Sequence, residues 1–261
     1  MYLTINKKLF ITIITIISVI AVGSIGFIVY DKLIANKNNN SEYITVIKDA
    51  SIDINRLYKV GEIIDKLDEA YATNDSKYQG YIYNTKVLEV KDFDKNAAIY
   101  VSIYPEIIRS NTEQSISSER IKYRYLNIFG KRLDYKPNSI EVNENTKIEY
   151  DKTSKTYKYK APITNNDHKS EYLARSIKTT IKDDLVIVTR KAFYAEYVGN
   201  NAVIYTSSSK SSKVGEVTMK NGEISIKEVI GKYGSKLHTY DLTFKLGSDD
   251  EYNFYKIERT K

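Results

Sequence analysis

The sequence lacks cysteine and tryptophan and has only two histidines and three prolines. Without cysteine it cannot form a disulfide, accept the lipid of a lipoprotein, or build a zinc site from the usual histidine and cysteine ligands. The eleven glycines stand singly, so no glycine-rich loop cradles a phosphate, which argues against nucleotide chemistry. The absence of cysteine is typical of a secreted bacterial domain stabilised by its core alone. The bias toward Ile, Lys, Asn and Tyr resembles the composition that an AT-rich bacterial genome encodes.

Catalytic motifs are missing as well. No G-x-S-x-G elbow and no S-x-x-K with its partner motifs occurs in a suitable context. His238 falls on the apolar face of a predicted strand, and His168 falls in a polar loop beside Asp167. We therefore predict no catalytic, cofactor-binding or metal-binding residue and no cofactor. No motif supports enzymatic activity, and the sequence does not exclude it.

One stretch has a partial likeness to a calcium-binding loop. Asp92, Asp94 and Asn96 match the opening of such a loop. The glycine position is then Ala97, and the position of the bidentate glutamate is Ile103. The sequence therefore predicts no calcium site here.

One long apolar run stands against these absences. Residues 9–30 carry no charge and follow Lys7 and Lys8. As a helix rising about 1.5 Å per residue, this run extends roughly 33 Å, enough for a hydrocarbon core of about 30 Å. A cleavable signal peptide is the alternative, since residues 21–24 are small, but its apolar region spans only about 7 to 15 residues. We predict an uncleaved, single-pass transmembrane signal anchor.

The anchor divides the chain. We predict a cytoplasmic tail (1–8), the transmembrane anchor (9–30), a polar, asparagine-rich tether (31–44) and an extracytoplasmic α+β domain (45–261), with an alternative sub-boundary near residues 135–139 at Pro137. Lys7 and Lys8 favour a cytoplasmic N-terminus. The predicted localisation is the cell membrane, with the C-terminal domain outside the cytoplasm.

Charge is spread rather than concentrated. The chain carries 40 Lys and Arg against 33 Asp and Glu, a net charge of +7, of which Lys7 and Lys8 supply +2. Interspersed charges of both signs predict a solvated surface. They leave contact with an anionic cell-wall polymer or acidic lipid open, and we expect no nucleic-acid partner.

Two helices are predicted. The first spans residues 56–71 after a cap at Asp53 or Asn55, and its apolar seam is Leu57, Val60, Ile64, Leu67 and Tyr71. This seam predicts a helix lying on a sheet, and two heptads leave a dimerising stalk as the alternative. The second helix spans residues 112–129, with a capping box at Ser110 and Glu113, a buried face at Ile121, Tyr125, Ile128 and Phe129, and Gly130 at its end.

The remaining segments predict strands. We expect hairpins at 81–90 with 98–104, 147–150 with 156–160, 173–182 with 185–197, 217–220 with 223–226, and 237–246 with 252–258, and a serine-rich loop at 207–212. Asn221 and Gly222 suit a type I′ turn. Asp249, Asp250 and Glu251 form an acidic cluster that we interpret as a solvated turn. The fold class is α+β, an antiparallel β-sheet of six to nine strands packed against two helices.

Tyrosine is unusually frequent, with 24 residues against seven phenylalanines. Tyr150, Tyr157 and Tyr159 cluster on one predicted hairpin. Tyrosine has an apolar ring with a polar tip, so it serves both in half-buried sheets and on binding faces. We interpret the cluster as a sheet surface, with a binding face as the alternative.

The segments ERIKYRYLNIFGKRLDY, IEYDKTSKTYKYK and YDLTFKLGSDDEYNFYKIER, together with the anchor, resemble a group of membrane-anchored extracytoplasmic proteins of low-GC Gram-positive bacteria. That resemblance covers roughly residue 121 to the end of the chain and brings no activity or catalytic residue. A helix followed by antiparallel strands is also similar to cystatin-like and NTF2-like folds, which supply binding pockets and dimer surfaces. Fold alone does not settle function.

These observations favour a membrane-anchored envelope protein with a non-catalytic binding domain. Its partner would be another protein, a cell-wall polymer or a second copy of the chain. The alternative is a small-ligand-binding pocket or a hydrolase in a helix-wrapped sheet. A third hypothesis pairs two copies through the seam of the first helix.

Overall fold

The computed structural model describes residues 44–46, 54–71, 76–104, 114–144, 146–159 and 170–261. The predicted tail, the anchor, the tether up to residue 43, Asp53, the capping box at Ser110 and Glu113, and His168 lie outside these residues. Among the helices that are described, none is both long enough and apolar enough to cross a bilayer.

In chain order the described elements are β1 (Ile44–Val46), α1 (Ile54–Tyr71), β2 (Val87–Glu89), α2 (Lys95–Ile103), β3 (Gln114–Ser117), α3 (Ser118–Phe129), β4 (Ile140–Asn143), β5 (Thr146–Asp151), β6 (Thr156–Tyr159), β7 (Ser170–Lys182), β8 (Leu185–Val198), β9 (Asn201–Tyr205), β10 (Lys213–Thr218), α4 (Ile226–Tyr233), β11 (His238–Leu246) and β12 (Tyr252–Arg259).

The predicted α+β class with antiparallel strands is confirmed, but the strands form two sheets. The main sheet has eight strands along the order β1-β7-β8-β11-β12-β2, with β9 and β10 attached beside β8. Seven of them pair antiparallel, and β1 pairs parallel to β7. The second sheet has the order β3-β6-β5-β4. Four α-helices are described where two were predicted.

Strand β8 organises the main sheet because it serves two neighbours along one edge. Its first part, from Leu185 to Ala192, pairs with β11. Its second part, from Tyr194 to Val198, pairs with β9. The predicted hairpins β5–β6, β7–β8 and β11–β12 are confirmed.

Helix α1 lies where the seam predicted. All five seam residues are buried within the same chain, in one cluster with Val186, Val188 and Leu242 of the main sheet. This is the helix-on-sheet arrangement. A dimer formed through the seam would need these five side chains to be exposed, whereas they are buried in the domain.

Helix α2 corrects the prediction of a hairpin at 81–90 with 98–104. Residues 81–83 form a turn, only Val87–Glu89 is a strand, and residues 95–103 are helical. The helix begins at an Asp94 cap, whose Oδ1 accepts the Ala97 N–H at 2.9 Å. Every residue from Ala97 to Ile103 is buried. A helix buried on all sides has no amphipathic period, so its β-branched and aromatic residues imitated a strand.

Helix α3 is shorter than predicted because residues 114–117 form β3. Ser117 caps the helix, its Oγ accepting the Arg120 N–H at 3.2 Å. The predicted buried face and the predicted end are confirmed: Gly130 adopts a φ of 64° and donates its N–H to the Leu126 carbonyl at 2.8 Å.

Helix α4 corrects the predicted hairpin at 217–226. The turn itself forms, with φ of 54° at Asn221 and 79° at Gly222, but the ladder stops at the pair Lys220 and Glu223. Ser225 caps α4 instead, accepting the Glu228 N–H at 3.3 Å. Burial of Val229 in a second apolar cluster, below Phe193 and Ala195 of β8, favours the helix over a longer hairpin.

Strand β10 forms one margin of the main sheet, and α4 closes part of it. The Tyr233 hydroxyl donates to the Glu216 carbonyl at 2.9 Å and accepts the Glu216 N–H at 3.2 Å. The register of β10 also shifts between Lys213 and Gly215. One tyrosine therefore satisfies both outward backbone groups of a marginal residue.

Two glycines with positive φ provide a matched test of packing around the 76–83 turn. Gly80 has φ +67°, and a Cβ there would overlap Cε2 of the buried Tyr172 ring. Gly222 has φ +79° and open space around the same position. We expect Gly222→Ala to cost about 1–2 kcal/mol from the backbone alone. Gly80→Ala should cost about 1–3 kcal/mol more, because Tyr172 must also move. Thermal unfolding followed by circular dichroism measures both, and equal losses would contradict the close packing of Tyr172 on Gly80.

Candidate binding surface

A buried charge pair joins α1 to the main sheet. The Arg190 guanidinium donates to Asp68 through two bonds, Nη1 to Oδ1 at 2.7 Å and Nη2 to Oδ2 at 2.6 Å. The side chains of Arg190 and Asp68 are 3% and 18% exposed. Tyr83 completes the group: its hydroxyl accepts from Arg190 Nη1 at 2.8 Å and donates to Asp68 Oδ1 at 2.8 Å.

Three distant segments supply this group. Asp68 lies in the last turn of α1, Arg190 lies on the helix-facing side of β8, and Tyr83 ends the 76–83 turn. From the neighbouring strand β11, the Tyr240 hydroxyl donates to the Tyr83 carbonyl at 2.7 Å. Sequence analysis missed Arg190. The sequence marked Arg190 only as a cation on the side of β8 where its neighbours, such as Val188 and Ala192, are apolar.

We call the group of Arg190, Asp68 and Tyr83 the clamp, and electrostatics hold the protons of two of its members. Burial opposes the charged form of Arg190, but the attraction of Asp68 outweighs it and holds the pKa of Arg190 above its ordinary value. Burial raises the pKa of Tyr83 well above that of a free tyrosine. Arg190 and Tyr83 therefore keep their protons near neutral pH.

Asp65, one turn before Asp68, titrates differently. Desolvation of its carboxyl, followed by repulsion from Asp68, raises its pKa to about 6, while Arg190 opposes the rise. The residue as a whole is exposed, so solvent screens part of this repulsion.

A chain of tyrosine rings continues from the clamp along β7 and β8. Tyr83 and Tyr172 lie 5.8 Å apart between ring centroids, and Tyr172 and Tyr194 lie 5.2 Å apart. The Tyr172 hydroxyl donates to Asn84 Oδ1 and accepts the Ser208 N–H at 2.8 Å. The predicted serine-rich loop at 207–212 is confirmed as a loop, and these bonds fasten it to the domain.

The tyrosines that sequence analysis selected face the core. Tyr157 and Tyr159 are buried, and Tyr150 packs against Tyr157 at a ring distance of 4.8 Å. The Tyr157 hydroxyl lies 2.7 Å from that of Tyr135. These contacts agree with the sheet-surface interpretation, since the rings pack inside the chain.

The candidate metal positions have structural partners. Asp94 caps α2, as described above. At the acidic turn, Asp250 pairs with Arg56 and Glu251 lies 3.6 Å from Lys59, so the turn is fastened to α1. Across the described part of the chain, no group of three His, Cys, Asp or Glu side chains could hold a metal ion.

His238 is half-buried at the start of β11. Its Nδ1 lies 3.3 Å from the Tyr240 hydroxyl. Burial, and then the nearby Arg259, lower its pKa. A neutral imidazole packed beside a tyrosine is a structural contact, and no carboxylate is described in contact with it.

In the part of the chain that the structure describes, one face of the main sheet has no helix over its centre. Within the described residues, α1, α2 and α3 share a cluster with the even positions of β8, while α4 covers only the end of the odd face, near Phe193. Strand register places the same-face neighbours of Ile187 and Thr189 across β7, β11 and β12. The side chains exposed or half-buried there, which we call the open face, are Lys178, Thr180, Ile187, Thr189, Asp241, Lys256 and Glu258. Thr243, which pairs with Ile187 on the same face, is buried.

The open face mixes several kinds of contact. The Thr189 hydroxyl donates to Asp241 Oδ1 at 2.7 Å, and Lys256 Nζ donates to Glu258 Oε2 at 3.0 Å. Ile187 adds an apolar side chain on β8, and Thr243 of β11 separates it from Lys256. Lys178 is an exposed cation on β7. The face therefore offers donors, acceptors and a small apolar area to one flat partner.

Comparisons of the chain with protein-family models, with curated proteins and with solved structures found no match. The resemblance to membrane-anchored proteins of Gram-positive bacteria stays a prediction, and so does the alternative of a pocket protein or hydrolase.

The clamp gives a stability prediction. Arg190→Met leaves the Asp68 carboxylate without its cation, and we expect a loss of about 3–5 kcal/mol in unfolding free energy. The double variant Asp68→Leu with Arg190→Met should be more stable than Arg190→Met alone, because no unpaired charge remains. Lys178→Met, an exposed cation on β7, is the control and should stay within about 0.5 kcal/mol of the parent. Urea titration measures all three. A loss in Arg190→Met no larger than the control's would contradict the clamp.

Asp65 gives a pH prediction. Its pKa in the folded chain lies above the ordinary value of 3.8, so the folded state holds this proton more tightly than the unfolded state. Its contribution to stability is therefore lost as pH rises from about 4 through about 6. Asp65→Asn should raise the melting temperature at neutral pH, and the gain should vanish near pH 4. Asp134→Asn, at another exposed carboxylate, is the control. A gain that did not depend on pH would argue against this assignment.

Proposed function

We propose that the protein is a single-pass membrane protein whose C-terminal domain binds a partner outside the cytoplasm. The uncharged run at 9–30 would anchor it, and Lys7 and Lys8 would keep the N-terminus inside. The polar stretch at 31–44 would hold the domain near the bilayer. In this proposal the domain works by binding rather than by catalysis.

The open face is the observation that carries the binding role. An antiparallel sheet often has one solvated face, so exposure alone means little. Here the half-buried side chains combine the Thr189–Asp241 pair, the Lys256–Glu258 pair and Ile187 within adjoining strands. Alternating donors and acceptors with a small apolar centre suit a protein surface or a cell-wall polymer, both of which present matching polar groups.

The clamp supports the same role. A binding surface needs a rigid support, because ordering side chains on association costs free energy. Arg190 fixes β8 to α1 directly behind the open face, since its neighbours Thr189 and Lys191 point to the other side of the sheet. The face would therefore meet a partner with little rearrangement.

The absence of cysteine makes this proposal testable with single-cysteine variants. We would place one cysteine at Thr4 in the tail, at Lys152 in an exposed turn, or at Lys178 on the open face, and add a membrane-impermeant maleimide to intact cells. We expect Lys152→Cys to react and Thr4→Cys to react only after lysis. Lys178→Cys should react more slowly than Lys152→Cys on cells but equally fast in purified protein, because the partner covers it.

Two outcomes would contradict the proposal separately. Reaction of Lys152→Cys only after lysis would refute the orientation of the domain. Equal reaction of Lys152→Cys and Lys178→Cys on intact cells would refute the open face as the binding surface while leaving the orientation intact.

A further inference from the structure

Helix α3 exposes an aromatic ring among cations. Tyr123 is 64% exposed, the largest value among the large hydrophobic side chains that are described as exposed. It lies three residues after Arg120 and next to Arg124, and positions three and four apart share one side of a helix. The buried side of α3, with Ile121 and Tyr125, is turned away from them.

The positive charge continues beyond the end of the helix. Lys131 and Arg132 follow Gly130, and both are exposed. The helix contains one carboxylate, Glu119, which pairs with Lys122 at 2.7 Å. Arg124 is half-buried and its Nη1 donates to the Ser102 carbonyl at 3.2 Å, so we leave it out of the surface. Lys131 Nζ donates to the Val90 carbonyl at 3.2 Å and stays exposed. We call Arg120, Tyr123, Lys131 and Arg132 the α3 patch.

The α3 patch and the open face lie on opposite sides of the main sheet. Phe129 of α3 packs against Phe254 of β12 at a ring distance of 6.2 Å, within the cluster that covers the helix-facing side. The exposed side of α3 points away from that contact. A surface touching the α3 patch would therefore leave the open face free.

The tether keeps the domain within reach of the bilayer. Residues 31–43 would join the proposed anchor to β1, and a flexible chain of that length has a root-mean-square extension of about 20 Å and a maximum of about 45 Å. A domain held this close meets the headgroup region repeatedly.

We propose that the α3 patch docks on anionic phospholipid headgroups of the membrane that holds the anchor. This inference rests on the proposed function. Arginine and lysine would contact lipid phosphates, and the Tyr123 ring would sit at headgroup level, where amphipathic aromatic rings are favoured. Each cation near an anionic surface strengthens binding by roughly fivefold.

The experiment uses the full chain in lipid nanodiscs. A single cysteine at Asn127, on the same side of α3 as Tyr123, carries a fluorophore, and headgroup spin labels quench it. A cysteine at Lys182, at the end of β7, is the control site. We expect strong quenching at position 127 in nanodiscs containing phosphatidylglycerol, weak quenching in phosphatidylcholine alone, and weak quenching at position 182 in both.

Matched charge variants test the cause. Removing three cations by Arg120→Gln, Lys131→Gln and Arg132→Gln should lower the docked-to-undocked ratio by about a hundredfold. Removing three exposed cations elsewhere, by Lys182→Gln, Lys227→Gln and Lys236→Gln, should leave it within about twofold, since those side chains lie outside the α3 patch.

The outcomes separate the two proposals. A chain that does not co-elute with nanodiscs refutes the anchor, and lipid docking with it. A chain that co-elutes but is quenched equally at positions 127 and 182 refutes docking alone. Binding of soluble polyphosphate through the patch, with no quenching by anionic lipid, would assign the patch to an anionic polymer and also overturn lipid docking.

Discussion

The two-pronged contact between Arg190 and Asp68 is the constraint on which the domain depends. It joins a strand at the centre of the main sheet to the last turn of α1, and Tyr83 brings the 76–83 turn to the same point. A guanidinium that is 3% exposed is costly unless its charge is matched, so α1 can occupy only the position that brings Asp68 to it. One ion pair thereby fixes the register of a helix on a sheet, where apolar packing alone would tolerate sliding.

An element could be predicted from the sequence where its apolar residues recur with the period of a helix or a strand. The seam of α1 and the alternation of β11 could be recognised because burial falls mainly on one side of each element, although Thr243 on the other side of β11 is also buried. Helix α2 could not be recognised from the sequence, because it is buried on every side and its apolar residues show no helical period. The turn at Asn221 and Gly222 formed as local chemistry dictated, yet the residues after it became helical, because the cluster around Val229 decided their state.

The surfaces were harder to predict than the elements. The open face exists only because two hairpins, β7–β8 and β11–β12, pair with each other through β8 and β11, and no local pattern marks that pairing. The sequence contains one indication of the clamp, because Arg190 is a cation at an otherwise apolar position of β8. The carboxylate that pairs with Arg190 could not be chosen from the sequence among the many Asp and Glu residues. The α3 patch was visible as the polar side of a predicted helix, but its distance from the open face depends on the fold.

The contact between Tyr233 and Glu216 bears on how copies of this chain tolerate crowding. At high local concentration a bare β-margin lets neighbouring molecules join strand to strand. Here a phenol occupies the donor and the acceptor that such a neighbour would need at Glu216, and the register shift between Lys213 and Gly215 interrupts the strand just before it. The Tyr233 side chain of α4 therefore hinders edge-to-edge polymerisation at this margin.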